Sequence, residues 1–248
     1  MSNLTAGVVI IGDEILSGRT QDINANFIAK ELVKVGIHLK QIRIIRDEQK
    51  TIIDTVIKFH KSFTYVFTTG GIGPTHDDIT SQSIAIAFNK KYCLHPKAFK
   101  ILKEYYPSGE FNEERQRMAI MPENAALILN PLTAAPGFKI QNVYVLPGVP
   151  NIMKMMFSNL LKHIEKGEAK KVVTINTNLY ESIIAKKLST IQEKNPECSI
   201  GSYPYFNFVK KSSGINIVVS SWRLKKLDHI TNEIKEMISL LGGKSSIL

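Results

Sequence analysis

Thr69-Gly70-Gly71-Ile72-Gly73-Pro74-Thr75-His76-Asp77-Asp78-Ile79-Thr80 is the stretch whose reading decides the fold. It is entered from a β-branched, aromatic run, Thr64 to Thr69, and left through a helix-patterned segment, Thr80 to Asn89. A glycine loop between a buried strand and a helix is the junction that parallel sheets place at their carboxyl edge. Gly70, Gly71 and Gly73 lack Cβ, so their backbone can take positive φ and approach a ligand closely, while the helix start offers unpaired N–H groups to an anion. No Lys-Ser/Thr pair follows, as a Walker loop requires, and the glycine spacing differs from the dinucleotide fingerprint. Spacing alone leaves open a phosphate or pterin cradle and an ordinary strand-to-helix turn.

Outward from this loop, short apolar runs alternate with segments of helical period. Strands are predicted at Gly7 to Ile11, Leu39 to Ile45, Thr64 to Thr69, Ala126 to Leu129 and, as a pair, within Phe138 to Leu146. Helices are predicted from Asp22 or Asn24 to a stop at Gly36, and over Gln49 to His60, Thr80 to Asn89, Pro96 to Tyr106 and Asn151 to Ile164. This alternation is that of an α/β domain with a mostly parallel sheet. Beyond Glu165 the order becomes strand (Val172 to Ile175), helix (Glu181 to Glu193), strand (Ser199 to Tyr203), strand (Ile215 to Ser220), helix (Lys225 to Leu241), a small α+β module. Domains are therefore expected at 1–167 and 168–248.

The 248 residues, 44% hydrophobic and 22% charged, have the composition of a folded chain, and the apolar runs fall far short of the roughly 20 residues of a membrane helix. The N-terminal residues carry no basic leader, so a cytoplasmic protein with no membrane partner is expected. Cys93 and Cys198 lack metal-ligand spacing and are expected to be free, buried thiols. The net charge is +10, of which residues 1–165 supply +4 and the remainder +6, which favours an anionic partner. Nucleic acid is the least favoured such partner: Tyr203, Tyr205 and Phe206 sit among prolines and polar residues without an RNA-recognition pattern.

Ligands of a parallel sheet bind beyond its carboxyl ends. Seven carboxylates follow the first three strands: Asp13, Glu14, Asp22, Asp47, Glu48, Asp77 and Asp78. They would repel a phosphate unless a cation stood between, and Mg²⁺, which takes one or two carboxylates plus substrate phosphates and water, suits that place. Asp78 and Asp22 are open to a second reading as helix N-caps, and His76 as a solvated loop residue. Pro147-Gly148-Val149-Pro150 either walls a pocket or simply ends a strand.

Taken together, Gly-Asp-Glu-Ile-Leu-Ser-Gly at 12–18, Asp22-Ile23-Asn24-Ala25, the glycine loop, Ala135-Pro136-Gly137-Phe138 and Leu146-Pro147-Gly148-Val149-Pro150 resemble the MoaB/Mog-like molybdopterin-binding domain. More closely they resemble the N-terminal domain of the CinA (competence/damage-inducible) family and the matching domain of eukaryotic FAD synthase. Gly201 to Phe206 is similar to that family as well. The resemblance implies a doubly wound, three-layer α/β/α domain with a pocket at the sheet's carboxyl edge, often a homo-oligomer, either dimer or trimer. It implies a nucleotide or pterin partner, with molybdopterin as one ligand, and metal-dependent cleavage of the pyrophosphate in ADP-ribose or FAD. Asp47 and Asp78 match the family's acidic positions and would hold the metal, with Asp77 as a third catalytic carboxylate. The ligand would lie against Gly12, Glu14, Ser17, Gly18, Asp22 and Asn24, against Thr69, Gly70, Gly71, Gly73, Pro74, Thr75 and Thr80, and against Pro136, Gly137, Pro147 and Gly148. Larger CinA proteins add an amidohydrolase domain acting on nicotinamide mononucleotide; 248 residues are too few to hold it, and that activity is expected to be absent. Thr133 stands where the family commonly has glycine, which bears on the identity of the substrate.

Overall fold

The computed structural model describes residues 4–207 and 212–248, so the first residues read for a leader, Met1 to Asn3, lie outside the described residues. The chain divides into two compact units, 1–167 and 168–248.

In chain order the first unit holds β1 (Thr5–Ile11), α1 (Asp13–Leu16), α2 (Asn24–Lys34), β2 (His38–Ile45), α3 (Gln49–Ser62), β3 (Tyr65–Thr69) and α4 (Thr80–Ala87). It continues with β4 (Tyr92–Leu94), α5 (Pro96–Tyr105), α6 (Glu113–Arg117), β5 (Ile120–Pro122), β6 (Ala126–Ile128), β7 (Gly137–Ile140), β8 (Val143–Leu146) and α7 (Pro150–Leu160). Six strands form one sheet in the order β2-β1-β3-β8-β7-β6. The pairs β1/β2, β1/β3 and β3/β8 are parallel, while β7 runs antiparallel to both β8 and β6. The sheet is thus mostly parallel, as the alternation of elements predicts.

Central strands of such a sheet are covered on both faces and read as unbroken apolar runs. β1 shows this: Ala6, Val8 and Ile10 enter one core with Ile28 and Leu32 of α2 and Met153, Met156 and Phe157 of α7. Val9 and Ile11 enter the opposite core with Ile52, Val56 and Phe59 of α3, Ile84 of α4, and Ala98 and Leu102 of α5. Two cores on two faces make the three-layer α/β/α architecture. Strand order reverses direction at β1, with β2 on one side and β3 on the other. The loops leaving β1 and β3 therefore flank the topological switch point, where the crevice of an open α/β sheet lies.

The second unit contains β9 (Lys171–Thr177), α8 (Glu181–Lys194), β10 (Ser199–Asn207), β11 (Ser212–Ser221), α9 (Leu224–Leu240) and β12 (Ser245–Ile247). Its sheet, ordered β10-β11-β9-β12, is antiparallel throughout. Ile184, Leu188 and Ile191 of α8 and Ile230, Ile234 and Ile238 of α9 pack against Ile175, Ile215 and Ile217 in one core. Among the described residues no helix is long and apolar enough to cross a membrane. Both cysteines are free, but only Cys198 is buried; Cys93 is half-buried because it lies on the short ribbon β4–β5 rather than in a central strand.

Candidate functional site

The site is built from the ends of β1, β2, β3 and β8. β3 passes directly into the glycine loop. Gly70 takes φ +105, and a Cβ there would stand 2.1 Å from the Ile11 carbonyl oxygen; Gly71 takes φ +68, and a Cβ there would stand 2.2 Å from Thr80 Oγ1. Both positions require glycine for conformation and for space. From the β8 side, Gly148 comes so close that its Cβ would lie 3.3 Å from Gly70 Cα. Asn24 Nδ2 donates to the Gly148 carbonyl at 2.8 Å, fastening that turn to the start of α2.

These segments surround a cavity of about 530 Å³. Gly12 and Glu14 reach it from β1, Asp47 from β2, and Gly70, Gly71, Gly73, Pro74, Asp77 and Asp78 from the glycine loop. Pro136, Pro147 and Gly148 close the far side. A smaller recess of about 70 Å³ shares Glu14 and Gly148 with this cavity and gathers Asp22, Asn24 and Thr69. Five of the expected residues do not line either space. Ser17 and Gly18 are exposed on the turn after α1, where Ser17 Oγ donates to the Glu14 carbonyl. Thr75 is turned to Asp78. Thr80 is buried beneath Gly71, its N–H donating to the Gly71 carbonyl at 2.9 Å. Gly137 belongs to β7, and its missing Cβ would meet the Val145 carbonyl at 2.3 Å, a demand of strand packing.

The carboxylates divide by role. Asp22 accepts the N–H groups of Asn24 and Ala25 at 3.2 and 3.1 Å and so caps α2. Asp13 pairs with Arg46 at 3.2 Å, both side chains well exposed, and Glu48 accepts from the Thr51 hydroxyl. Asp78 does not cap α4. Its Oδ2 accepts the Thr75 N–H at 2.8 Å and the Thr75 hydroxyl at 2.6 Å, which curls the loop and leaves Oδ1 free of that work. Asp47 Oδ2 accepts the Asp13 N–H at 2.9 Å. Partial burial pushes the Asp47 carboxyl above its ordinary range, the Asp13 N–H opposes this, and the charges of Glu14, Asp13 and Asp77 reinforce it. His76, with a side chain 97% exposed, is a solvated loop residue.

Glu14, Asp47, Asp77 and Asp78 all face the cavity, and among the described residues no lysine or arginine does. Among the described residues no three His, Cys, Asp or Glu side chains group so as to hold a metal ion unaided.

The far wall holds residues that the motifs do not single out, Thr20, Met118 and Asn130, together with Thr133, which stands where the family has glycine. Asn130, buried, organises its loop through four hydrogen bonds. Its Nδ2 donates to Thr133 Oγ1 at 2.6 Å and to the Ala135 carbonyl at 3.0 Å, and its Oδ1 accepts from the N–H groups of Leu132 and Thr133 at 2.9 and 3.2 Å. The Asn-Pro dipeptide at 130–131 is the sequence signal that marks it. Asn130 also borders a larger cavity, about 810 Å³, lined by Ile101, Leu127, Leu129, Met156 and Leu160. Among the described residues no carboxylate lines that space.

Comparison with known proteins agrees with this geometry. The family model described as "Probable molybdopterin binding domain" matches residues 7–166, and that described as "FAD synthase, middle domain" matches residues 171–241. A protein of Archaeoglobus fulgidus is 36% identical over 227 residues, covering 91% of this chain and 97% of its own. A "Probable FAD synthase" of Caenorhabditis elegans is 30% identical over 261 residues, covering 95% of this chain and 50% of its own, so the chain spans half the length of that relative. The solved structure of the protein CinA from Thermoplasma acidophilum has a TM-score of 0.61 at 30% identity, covering 65% of this chain and 98% of that one. With a switch-point cavity, a glycine loop and these relatives, the chain belongs to the molybdopterin-binding-domain family, in the CinA-like form that carries an FAD-synthase-type middle domain after it.

Proposed function

We propose that the cavity binds a nucleotide such as ADP-ribose or FAD and, with a divalent cation, hydrolyses its pyrophosphate. The observation that carries this reading is the lining itself: among the described residues, four carboxylates and no lysine or arginine stand beside a glycine loop. A phosphorylated ligand meets net repulsion there unless a cation enters with it. Asp47 and Asp78 supply hard oxygen donors suited to Mg²⁺, an ion commonly completed by ligand phosphates and water. When bound, that ion would neutralise charge on the phosphates.

The chain's own groups do the rest. Gly70 and Gly71 border the cavity, and without side chains they leave the loop backbone open to the phosphates. Asp78, held through Oδ2 by Thr75, presents its other oxygen in a fixed orientation. Asp77 orients water for in-line attack on phosphorus; the phosphoanhydride P–O bond breaks and two monophosphates leave. Positioning and charge neutralisation suffice for this chemistry without a covalent nucleophile.

The experiment is calorimetric titration of ADP-ribose and FAD with and without Mg²⁺. Binding that appears only with the ion supports the reading; equal binding in chelator ends it. A second reading, molybdopterin binding without hydrolysis, is favoured by the family match over residues 7–166 and predicts saturable pterin binding with no release of a nucleoside monophosphate. We also expect a homo-oligomer, since Leu129 and Leu132 are exposed beside the apolar cavity; sedimentation at a monomer's mass overturns this.

A further inference from the structure

The recess beside the main cavity contains two polar atoms that the fold does not use. Asn24 is 5% exposed and Thr69 1% exposed, and both line the recess. Neither Asn24 Oδ1 nor Thr69 Oγ1 has a hydrogen-bond partner among the described residues. Buried polar atoms are seldom left so, because each costs the desolvation it is not repaid. Packing does not account for the arrangement at Asn24. Its Nδ2 is committed to the Gly148 carbonyl at 2.8 Å, which fixes the amide and leaves the acceptor oxygen unused; the flipped amide would set oxygen against oxygen.

The surroundings define what the pair can take. Glu14 and Asp22 also line the recess, and among the described residues no Lys, Arg or His does. Asp22 is already occupied with the N–H groups of Asn24 and Ala25. Thr20 and Gln21 complete the polar lining, and the buried, unpartnered atoms there among the described residues are an acceptor, Asn24 Oδ1, and a hydroxyl able to accept, Thr69 Oγ1, beside a space of about 70 Å³. That volume holds one small polar group and no ring. A hydroxyl brings one donor; an amino group on a flat heterocycle brings two N–H donors and sits at the end of a rigid plane.

We propose that this recess is a subsite for the exocyclic amino group of the ligand's nitrogen heterocycle, recognised by Asn24 Oδ1 and Thr69 Oγ1. The inference rests on the reading of the main cavity as a nucleotide or pterin site and adds the chemistry by which the heterocycle is chosen. Adenine and pterin each carry such an amino group, and two matched pairs of probes separate them: ADP-ribose against its hypoxanthine counterpart, and pterin against lumazine, each differing in amino against oxo.

The test is calorimetric titration of all four compounds, with Mg²⁺, into the full chain and its Thr69→Val variant. Valine keeps the β-branched shape, and Thr69 Oγ1 holds no bond among the described residues, so the melting temperature of the variant should not fall. The wild-type protein should prefer the amino member of at least one pair by about 10-fold, and Thr69→Val should reduce that preference several-fold while leaving the oxo member unchanged. Preference within the purine pair identifies a nucleotide, and within the pterin pair a pterin. Binding of both members of each pair with equal affinity, or a preference untouched by Thr69→Val, overturns the subsite and leaves the recess a place for water. Binding of none of the four overturns the reading of the main cavity, and the subsite falls with it.

Discussion

The carboxylate of Asp47 accepts the backbone N–H of Asp13 at 2.9 Å, so the segment leaving β2 is tied to the segment leaving β1 across the mouth of the cavity. The tie needs an acceptor oxygen and not a charge. Asparagine at position 47 keeps the acceptor and removes the repulsion from Glu14, Asp13 and Asp77.

Asp47→Asn should therefore separate stability from activity. Because the folded-state pKa of Asp47 is raised, its contribution to stability is fully present below the ordinary carboxylate pKa and is lost as pH rises through the raised value. The neutral variant carries no such loss and should melt higher than wild type at neutral pH. Turnover should fall by about 100-fold or more. Thermal melts at neutral pH and near pH 3 check the first part; a variant with no advantage at neutral pH contradicts it.

A raised Asp47 also sets the pH dependence of any activity that needs it ionised. The acid limb of kcat/KM against pH should lie above the range of a free aspartate, and saturating Mg²⁺, which competes with the proton, should move it down. A limb at the ordinary value of 3.8 that ignores Mg²⁺ would show that Asp47 neither titrates in the profile nor holds the ion.

The loop glycines should rank by what surrounds them. Gly70→Ala and Gly71→Ala each combine positive φ with a collision, at 2.1 Å from the Ile11 carbonyl and 2.2 Å from Thr80 Oγ1, and should cost about 1–3 kcal/mol and abolish ligand binding. Gly18 has φ +73 with nothing within 4 Å of the added carbon, so Gly18→Ala should cost only about 1 kcal/mol and leave binding intact. Urea unfolding of the three variants gives the order directly; equal costs would mean that close approach at the glycine loop is unimportant.

Asn130→Ala removes four hydrogen bonds from the loop that carries Thr133, Ala135 and Pro136 to the cavity. Stability should fall by about 1–3 kcal/mol. Since Asn130 acts by positioning the wall, KM should rise more than kcat falls. A variant with unchanged KM would reduce Asn130 to a purely structural post.

The elements that carry the site were legible in the sequence because their patterns are strong: the unbroken apolar run of β1, the 3.6-residue period of α2 and α3, and the glycines after β3. The missed elements are short ones whose pairing is decided far along the chain. β4 meets β5 across more than twenty intervening residues, and β12 is a strand only because β9 offers it an edge. α1 and α6 span four and five residues, too few for a period to show. At the site, the motif segments foretold the floor and the acidic rim but not the division of labour among carboxylates. Asp22 and Asp78 occupy similar positions before helices, yet Asp22 caps and Asp78 binds its own loop, a choice made by loop geometry. Asn130 belongs to none of the quoted motifs, Thr133 is marked only by standing where the family has glycine, and the missing Cβ at Gly137 answers to the approach of β8.

The most direct test of the whole account is chromatography of products after ADP-ribose or FAD is incubated with the full chain and Mg²⁺, beside the same protein in chelator and beside Asp78→Asn. Nucleoside monophosphate should form with Mg²⁺, vanish in chelator, and fall by about 100-fold or more in the variant while its fold, read by circular dichroism, is retained. Intact substrate in every arm, or cleavage by Asp78→Asn at the wild-type rate, would contradict it.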